Sequence, residues 1–157
     1  MIERFRLSGL RVLYFCLVLA VCAASIQRAY AAPCSGTGTL SRNPEIKWRL
    51  TPEDLADLQA RQLAILRSAM AQVAIGGRVI YSTCSLEREE NEDVIERVLA
   101  EQSSFRVIDC HAELDRLQQE GELIWPEVSS LTRGPYLRTL PGVHPCDGFF
   151  AAILERI

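Results

Sequence analysis

At 157 residues with a formal net charge of −3, the chain has room for one ordinary domain and not two, and it lacks the global basic field that draws a protein to nucleic acid unaided. Apolar residues at 48% and charged residues at 24% are the balance of a soluble globular protein, with no repeat and no low-complexity tract. The six cysteines include no C-x-x-C pair, which argues against a zinc ribbon or a thioredoxin-like motif.

The first 31 residues differ from the rest. Arg4, Arg6 and Arg11 precede the apolar run Val12–Ala24, and Ala29-Tyr30-Ala31 follows as a small-x-small site. This is the grammar of a secretory signal peptide, and the run is short for a membrane span of about 20 residues. A segment translated from a shifted reading frame, joined to part of a longer gene, fits as well. The chain is therefore divided into 1–31, leader-like or frame-shifted, and 32–157, a folded region.

From Ala32 onward the text reads as α/β. Pro33–Gly38 is a turn rich in Gly, Ser and Thr. Thr51-Pro52-Glu53-Asp54 predicts a helix start, with Thr at the N-cap, Pro at the first helical position and acids in the first turn. Leu55, Leu58, Leu63, Leu66, Met70 and Val73 continue it at helical spacing to Gly76-Gly77. Residues 78–83 predict a buried strand, and residues 89–101 a helix with Val94, Ile95, Val98 and Leu99 inward. Residues 105–109, 136–140 and 148–155 are strand candidates, the last two joined by a turn over 141–147. Alternation of helix and strand predicts a mostly parallel sheet with helices on its faces.

Cys34 opens one loop and Cys84 follows the strand ending at Thr83. Ligands of open α/β sheets bind at the carboxyl ends of strands, so both thiols are expected on the functional edge; the plainer alternative is that each is a small buried hydrophobe. Arg42, Lys47 and Arg49 flank the first loop and are candidates for phosphate contact. Trp48 is expected to pack rather than to stack on a base. Glu89, Glu90, Glu92 and Asp93 read as first-turn acids that complement a helix dipole. His144, Cys146 and the pair Cys110-His111 lack the compact spacing of a metal site, and no metal is expected.

The wording around the two cysteines adds a resemblance. Ala32-Pro33-Cys34-Ser35-Gly36-Thr37-Gly38, running on through Arg42 to Trp48, resembles the fourth motif of the RsmB/NOP/Sun-type RNA cytosine-C5 methyltransferases. Tyr81-Ser82-Thr83-Cys84-Ser85-Leu86 with Glu89-Glu90-Asn91-Glu92 resembles the sixth, and Asp147–Ala152 the closing strand. The likeness covers about four-fifths of the chain, in family order. It implies a partial class I methyltransferase (Rossmann-like) sheet without its N-terminal cofactor-binding strands. It also implies S-adenosylmethionine as methyl donor, an rRNA or tRNA partner and a cytoplasmic setting, or a secreted one if residues 1–31 are a signal peptide.

By the same resemblance Cys84 is the nucleophile that adds to cytosine C6, Cys34 assists release of the RNA, and Asn91 holds the loop near the nucleophile. Arg42 and Lys47 are the expected RNA contacts. Two features depart from the family. Its Gly-rich cofactor loop is not found here, and its Asp-Ala-Pro-Cys reads Ala31-Ala32-Pro33-Cys34. The chain as it stands is expected not to bind S-adenosylmethionine and to be inactive alone. Agreement begins abruptly at Ala32, which favours the shifted frame over the leader. Two readings compete with the enzyme fragment: a secreted, disulfide-stabilised domain, and a degenerate RNA-binding module.

Overall fold

The computed structural model describes residues 28–157. The leader-like stretch up to residue 27 lies outside them. Residues 28–31, which the sequence groups with that stretch, form strand β1 (Arg28–Ala31). It pairs in parallel with β2 (Arg78–Thr83), Arg28 opposite Val79 through Ala31 opposite Ser82. Between them lie a short helix α1 (Ile46–Arg49) and the long helix α2 (Pro52–Ala71). Then follow α3 (Glu92–Glu101), β3 (Phe105–Ile108), α4 (Cys110–Gln119), β4 (Thr132–Arg133), β5 (Tyr136–Thr139) and β6 (Phe149–Arg156).

The start of α2 forms where its sequence signal predicts. The Thr51 hydroxyl accepts from the Asp54 N–H, and the Asp54 carboxylate accepts from the Thr51 N–H at 2.9 Å, a reciprocal capping box. Its end comes at Ala71, earlier than the glycines imply. Gly76 takes a left-handed φ of 74° in the turn that follows, where its N–H donates to the Arg156 carbonyl. Helix α4 has no counterpart in the sequence reading. Asp109 caps it by accepting from the His111 N–H, and Cys110, Leu114 and Leu117 form its buried stripe.

The sheet order is β1-β2-β6-β5-β4, with β3 also on β6. The expectation of a mostly parallel sheet is corrected. Strands β1, β2, β3 and β5 do point the same way, but β6 runs against β2, β3 and β5, and β4 runs against β5. Among the described strands only the β1–β2 pairing is parallel. The reason is the short turn between β5 and β6, which reverses the chain and leaves β6 wedged between strands of the opposite sense. One edge of β6 lies along β2; the other is shared by β5, opposite residues 149–151, and β3, opposite residues 153–156.

Strand periodicity divides the core in two. Val79 and Tyr81 of β2 with Phe150, Ala152 and Leu154 of β6 face Leu63, Leu66 and Met70 of α2 and Val94, Ile95 and Val98 of α3. Ile80, Ala151, Ile153 and Leu137 face Cys110, Leu114 and Leu117 of α4 together with Leu131. Among the described residues no helix is long and apolar enough to cross a membrane.

A two-cysteine candidate active site

Because β1 and β2 are parallel, their carboxyl ends lie at the same edge of the sheet, and the loops that leave them meet. The pairing runs on past β1, where the Ala32 N–H donates to the Ser82 carbonyl. Cys34 follows in the first loop and Cys84 directly after β2. Their sulfurs are 3.1 Å apart, and the Cys84 N–H also points at the Cys34 sulfur, at 3.4 Å. Both residues are half-buried.

A backbone knot holds the loops together. The Gly38 N–H donates to the Cys84 carbonyl and the Gly148 N–H donates to the Gly38 carbonyl, both at 2.8 Å. A Cβ on Gly38 would stand 2.2 Å from the Gly148 oxygen and 2.7 Å from the Cys84 oxygen, so only glycine fits there. Thr37 adds a side-chain link by accepting from the Leu86 N–H at 2.8 Å. Asn91 accepts from the Thr83 hydroxyl and donates to the Ser85 carbonyl, bracketing Cys84 as expected of it.

Electrostatics separate the two thiols. The hydrogen bond with Cys34 draws the Cys84 thiol down from an ordinary 9.0 to about 7, against the opposing pull of burial and of the Glu90 charge. The same bond, and then burial, push the Cys34 thiol far above the ordinary thiol range. One consistent arrangement follows: Cys34 keeps its proton and donates it toward a Cys84 sulfur that ionises near neutral pH.

Glu90 is the residue the sequence misplaced. It lies not in the first turn of α3 but in the 3-10 turn Arg88–Glu90, and it is fully buried. Its Oε1 accepts from the Ser35 N–H at 2.9 Å and from Gln62 Nε2 at 2.8 Å; its Oε2 accepts from the hydroxyls of Ser35 and Ser85. Gln62 also donates to the Pro33 carbonyl, and the Tyr81 hydroxyl donates to the Glu90 carbonyl. The clue was Gln62 and Gln59, polar residues on the face of α2 that turns inward.

The loop of predicted RNA contacts stays outside this cluster. Arg42 is ion-paired with Asp147. Lys47 lies over the Trp48 ring, its Nζ 5.2 Å from the centroid. Trp48 does not pack as expected: it is 81% exposed, because α1 is a single turn with no buried residue. An open cleft of about 380 Å³ lies beside it, lined by Ser35, Ile46, Arg49, Leu58 and Arg61 among others.

The remaining cysteine and histidine candidates are taken up locally. His144 Nδ1 accepts from the Leu140 N–H at 2.9 Å and Nε2 meets the Ser130 carbonyl at 2.8 Å. Cys110 is buried against the Ala151 carbonyl. Cys34, Cys84, Cys110 and Cys146 carry no disulfide in this structure. No group of three potential metal ligands occurs among the described residues.

Comparison with known proteins is consistent from sequence to fold. The profile of the family described as 16S rRNA methyltransferase RsmB/F matches residues 22–155, beginning ahead of Ala32. A probable ribosomal RNA small subunit methyltransferase B of Synechocystis is 40% identical over 124 residues, covering 79% of this chain and 26% of that protein. Its Thermus thermophilus namesake is 37% identical, covering 80% and 28%, and a methyltransferase F of Salmonella paratyphi A is 32% identical, covering 80% and 24%. The chain thus spans about a quarter of the length of these relatives. Among solved structures, a methyltransferase homolog protein from Pyrococcus horikoshii superposes with a TM-score of 0.59 at 27% identity, over 83% of this chain and 39% of that one. The structure described as PH0851 reaches 0.68 at 32%, over 83% and 26%.

Proposed function

The chain belongs to the RsmB/F family of rRNA methyltransferases, and from that premise we propose that it carries the substrate-activating part of an RNA cytosine-C5 methyltransferase, with Cys84 as nucleophile and Cys34 as the thiol that assists release. The observation that carries the reading is the 3.1 Å approach of the two sulfurs.

Cytosine C5 is a poor nucleophile. Addition of the Cys84 thiolate to C6 pushes the C5–C6 π electrons into the ring and makes C5 enamine-like, able to take a methyl group. The C5 proton must then leave and the C6–S bond break. Cys34 acts at this point. Its S–H stabilises the sulfur that departs, and a less basic thiolate is the better leaving group.

The methyl donor of such chemistry is S-adenosylmethionine, whose ribose hydroxyls call for an acidic acceptor at a strand end. The described residues do not fit it. Ala31 and Ala32 stand at the end of β1, the Glu90 oxygens are taken by four donors, and Asp147 is paired with Arg42. This chain is expected to be inactive in methyl transfer by itself. Calorimetry with S-adenosylmethionine is expected to show no binding; a micromolar constant contradicts this.

RNA is the partner, with Lys47 the freer phosphate contact and Arg42 obliged to leave Asp147 first. The activation step is testable without a donor. Once C6 carries sulfur, C5 exchanges its hydrogen with solvent, and elimination restores the ring. Small-subunit rRNA incubated with the chain in D₂O is expected to gain deuterium at cytosine C5, and Cys84→Ala is expected to abolish the gain. Cys34→Ala is expected to accumulate a covalent protein–RNA adduct on denaturing gels. Exchange that persists in Cys84→Ala would sink the assignment.

A further inference from the structure

The two sulfurs are carried by different loops, and nothing in the pairing of β1 with β2 fixes their separation to the fraction of an ångström that cooperation demands. Besides the Thr37 link, one buried carboxylate from outside both loops reaches each of them. Glu90 accepts from the N–H and the hydroxyl of Ser35, the residue after Cys34, and from the hydroxyl of Ser85, the residue after Cys84. The two hydroxyls are 3.1 Å from one another. Through Gln62, which donates both to Glu90 and to the Pro33 carbonyl, the network also grips the residue before Cys34.

We propose that Glu90 is the positioning residue of the cysteine pair, a carboxylate clamp whose four accepted hydrogen bonds hold the Cys34 and Cys84 loops at the sulfur–sulfur distance their chemistry needs. The assignment rests on the reading of the two cysteines given above and adds to it a residue that touches neither the sulfurs nor the substrate. Burial makes the clamp stiff, since the carboxylate is fully buried and its bonds from Gln62 and Ser85 are closed to water. Glu90 also opposes ionisation of Cys84 through its charge. A positioning role and a merely fold-holding role therefore differ in what they do to the thiols.

The test uses the full chain and no RNA. The probe is the equilibrium between the Cys34–Cys84 dithiol and oxidised dithiothreitol. Cys84 attacks the cyclic disulfide, Cys34 displaces the mixed disulfide, and both electrons and both protons end on dithiothreitol. The constant reads the proximity of the sulfurs, and alkylation of Cys84 across pH reads its ionisation. Glu90→Asp withdraws the carboxylate by about one bond, ~1.5 Å, so it reaches one loop and not both. The constant is expected to fall at least about tenfold, a displacement of an ångström being able to cost about 10²-fold. Glu90→Gln keeps an acceptor for Ser35 and Gln62 and turns its amide toward hydroxyls that can rotate to accept. It is expected to hold the constant within about twofold while the Cys84 midpoint drops below the native one.

Ser85→Ala cuts the direct link from Glu90 to the Cys84 loop with a small change, and serves if Glu90→Asp does not fold; it too is expected to lower the constant about tenfold. A native constant in folded Glu90→Asp or in Ser85→Ala overturns the proposal, as does a Cys84 midpoint unmoved in Glu90→Gln. Because sulfur proximity is read apart from RNA, loss of C5 exchange with an intact Glu90 dependence would refute the functional reading alone.

Discussion

The two faces of the sheet carry equally apolar stripes and very different polar residues. On the face covered by α2 and α3, Gln59, Gln62, Tyr81, Glu90 and Asn91 are buried and hydrogen-bonded into the cysteine loops or the turn that supports them. On the face covered by α4, Leu114, Leu117, Leu131 and Ile153 close the core, and the polar groups of the helix, such as Arg116 with Glu120 and His111 with Asp115, pair at the surface. A buried polar network is costly wherever a member goes unsatisfied, as Gln62 Oε1 does here, so it is not kept for packing. Such a network concentrated on one side marks where the fold has been shaped by chemistry, while the other side is closed mainly by apolar packing, with the Thr139 hydroxyl donating to the Asp147 carbonyl at its edge.

Four substitutions can break or sharpen that contrast. Gly38→Ala is expected to disturb the fold and both cysteine loops together. Its methyl would collide with the Gly148 and Cys84 carbonyls, two backbone groups that cannot swing aside. A loss of about 3 kcal/mol or more in chemical denaturation is expected, at the upper end for overpacking. Leu114→Ala, on the opposite face, is expected to cost about 2–5 kcal/mol while the Cys84 titration midpoint stays where it was. A midpoint that follows the stability loss would show that the faces are not independent.

Cys34→Ala tests the network face directly. Without the S–H donor, the Cys84 midpoint is expected to climb from about 7 toward the ordinary 9.0. Thiolate is the form present above the midpoint, so at pH 7 its share falls about 50-fold. The greater nucleophilicity of a more basic sulfur offsets much of this, leaving alkylation at pH 7 roughly five- to tenfold slower. Last, Lys47→Ala is expected to reduce the slope of log K against log salt for RNA binding by about 1, with the thiol titration untouched, since the loop from Arg42 to Trp48 makes none of the Glu90 bonds.

Sequence made the cysteine pair legible through the wording of the two loops; β1, which brings the first loop to the edge of β2, fell in the stretch read as leader-like or frame-shifted. Thr51-Pro52-Glu53-Asp54 was legible because capping is local. Glu90 was not. Within Glu89-Glu90-Asn91-Glu92-Asp93 the acids are alike, and only the 3-10 turn decides that the second points inward while Glu89 stays exposed. Helix α4 hid behind a stripe of three residues in an otherwise polar segment. The direction of β6 was hidden as well, since a strand buried on both faces reads the same whichever way it runs; the short connection from β5 was the clue. Trp48 misled because indole area is usually packed, and a one-turn helix offers nothing to pack it against.

The wedge position of β6 also governs how the molecule comes apart. Arg78 and Glu155 are 77 residues apart and still paired, so the central ladder is built from contacts of very long range. Closing such a loop precedes any reward from it, which predicts slow, all-or-none acquisition of the sheet. Once formed, β6 is flanked on both edges and cannot peel away locally. Its amide protons, and those of β2, are expected to trade with solvent only through global opening, while those of α1 escape by fraying.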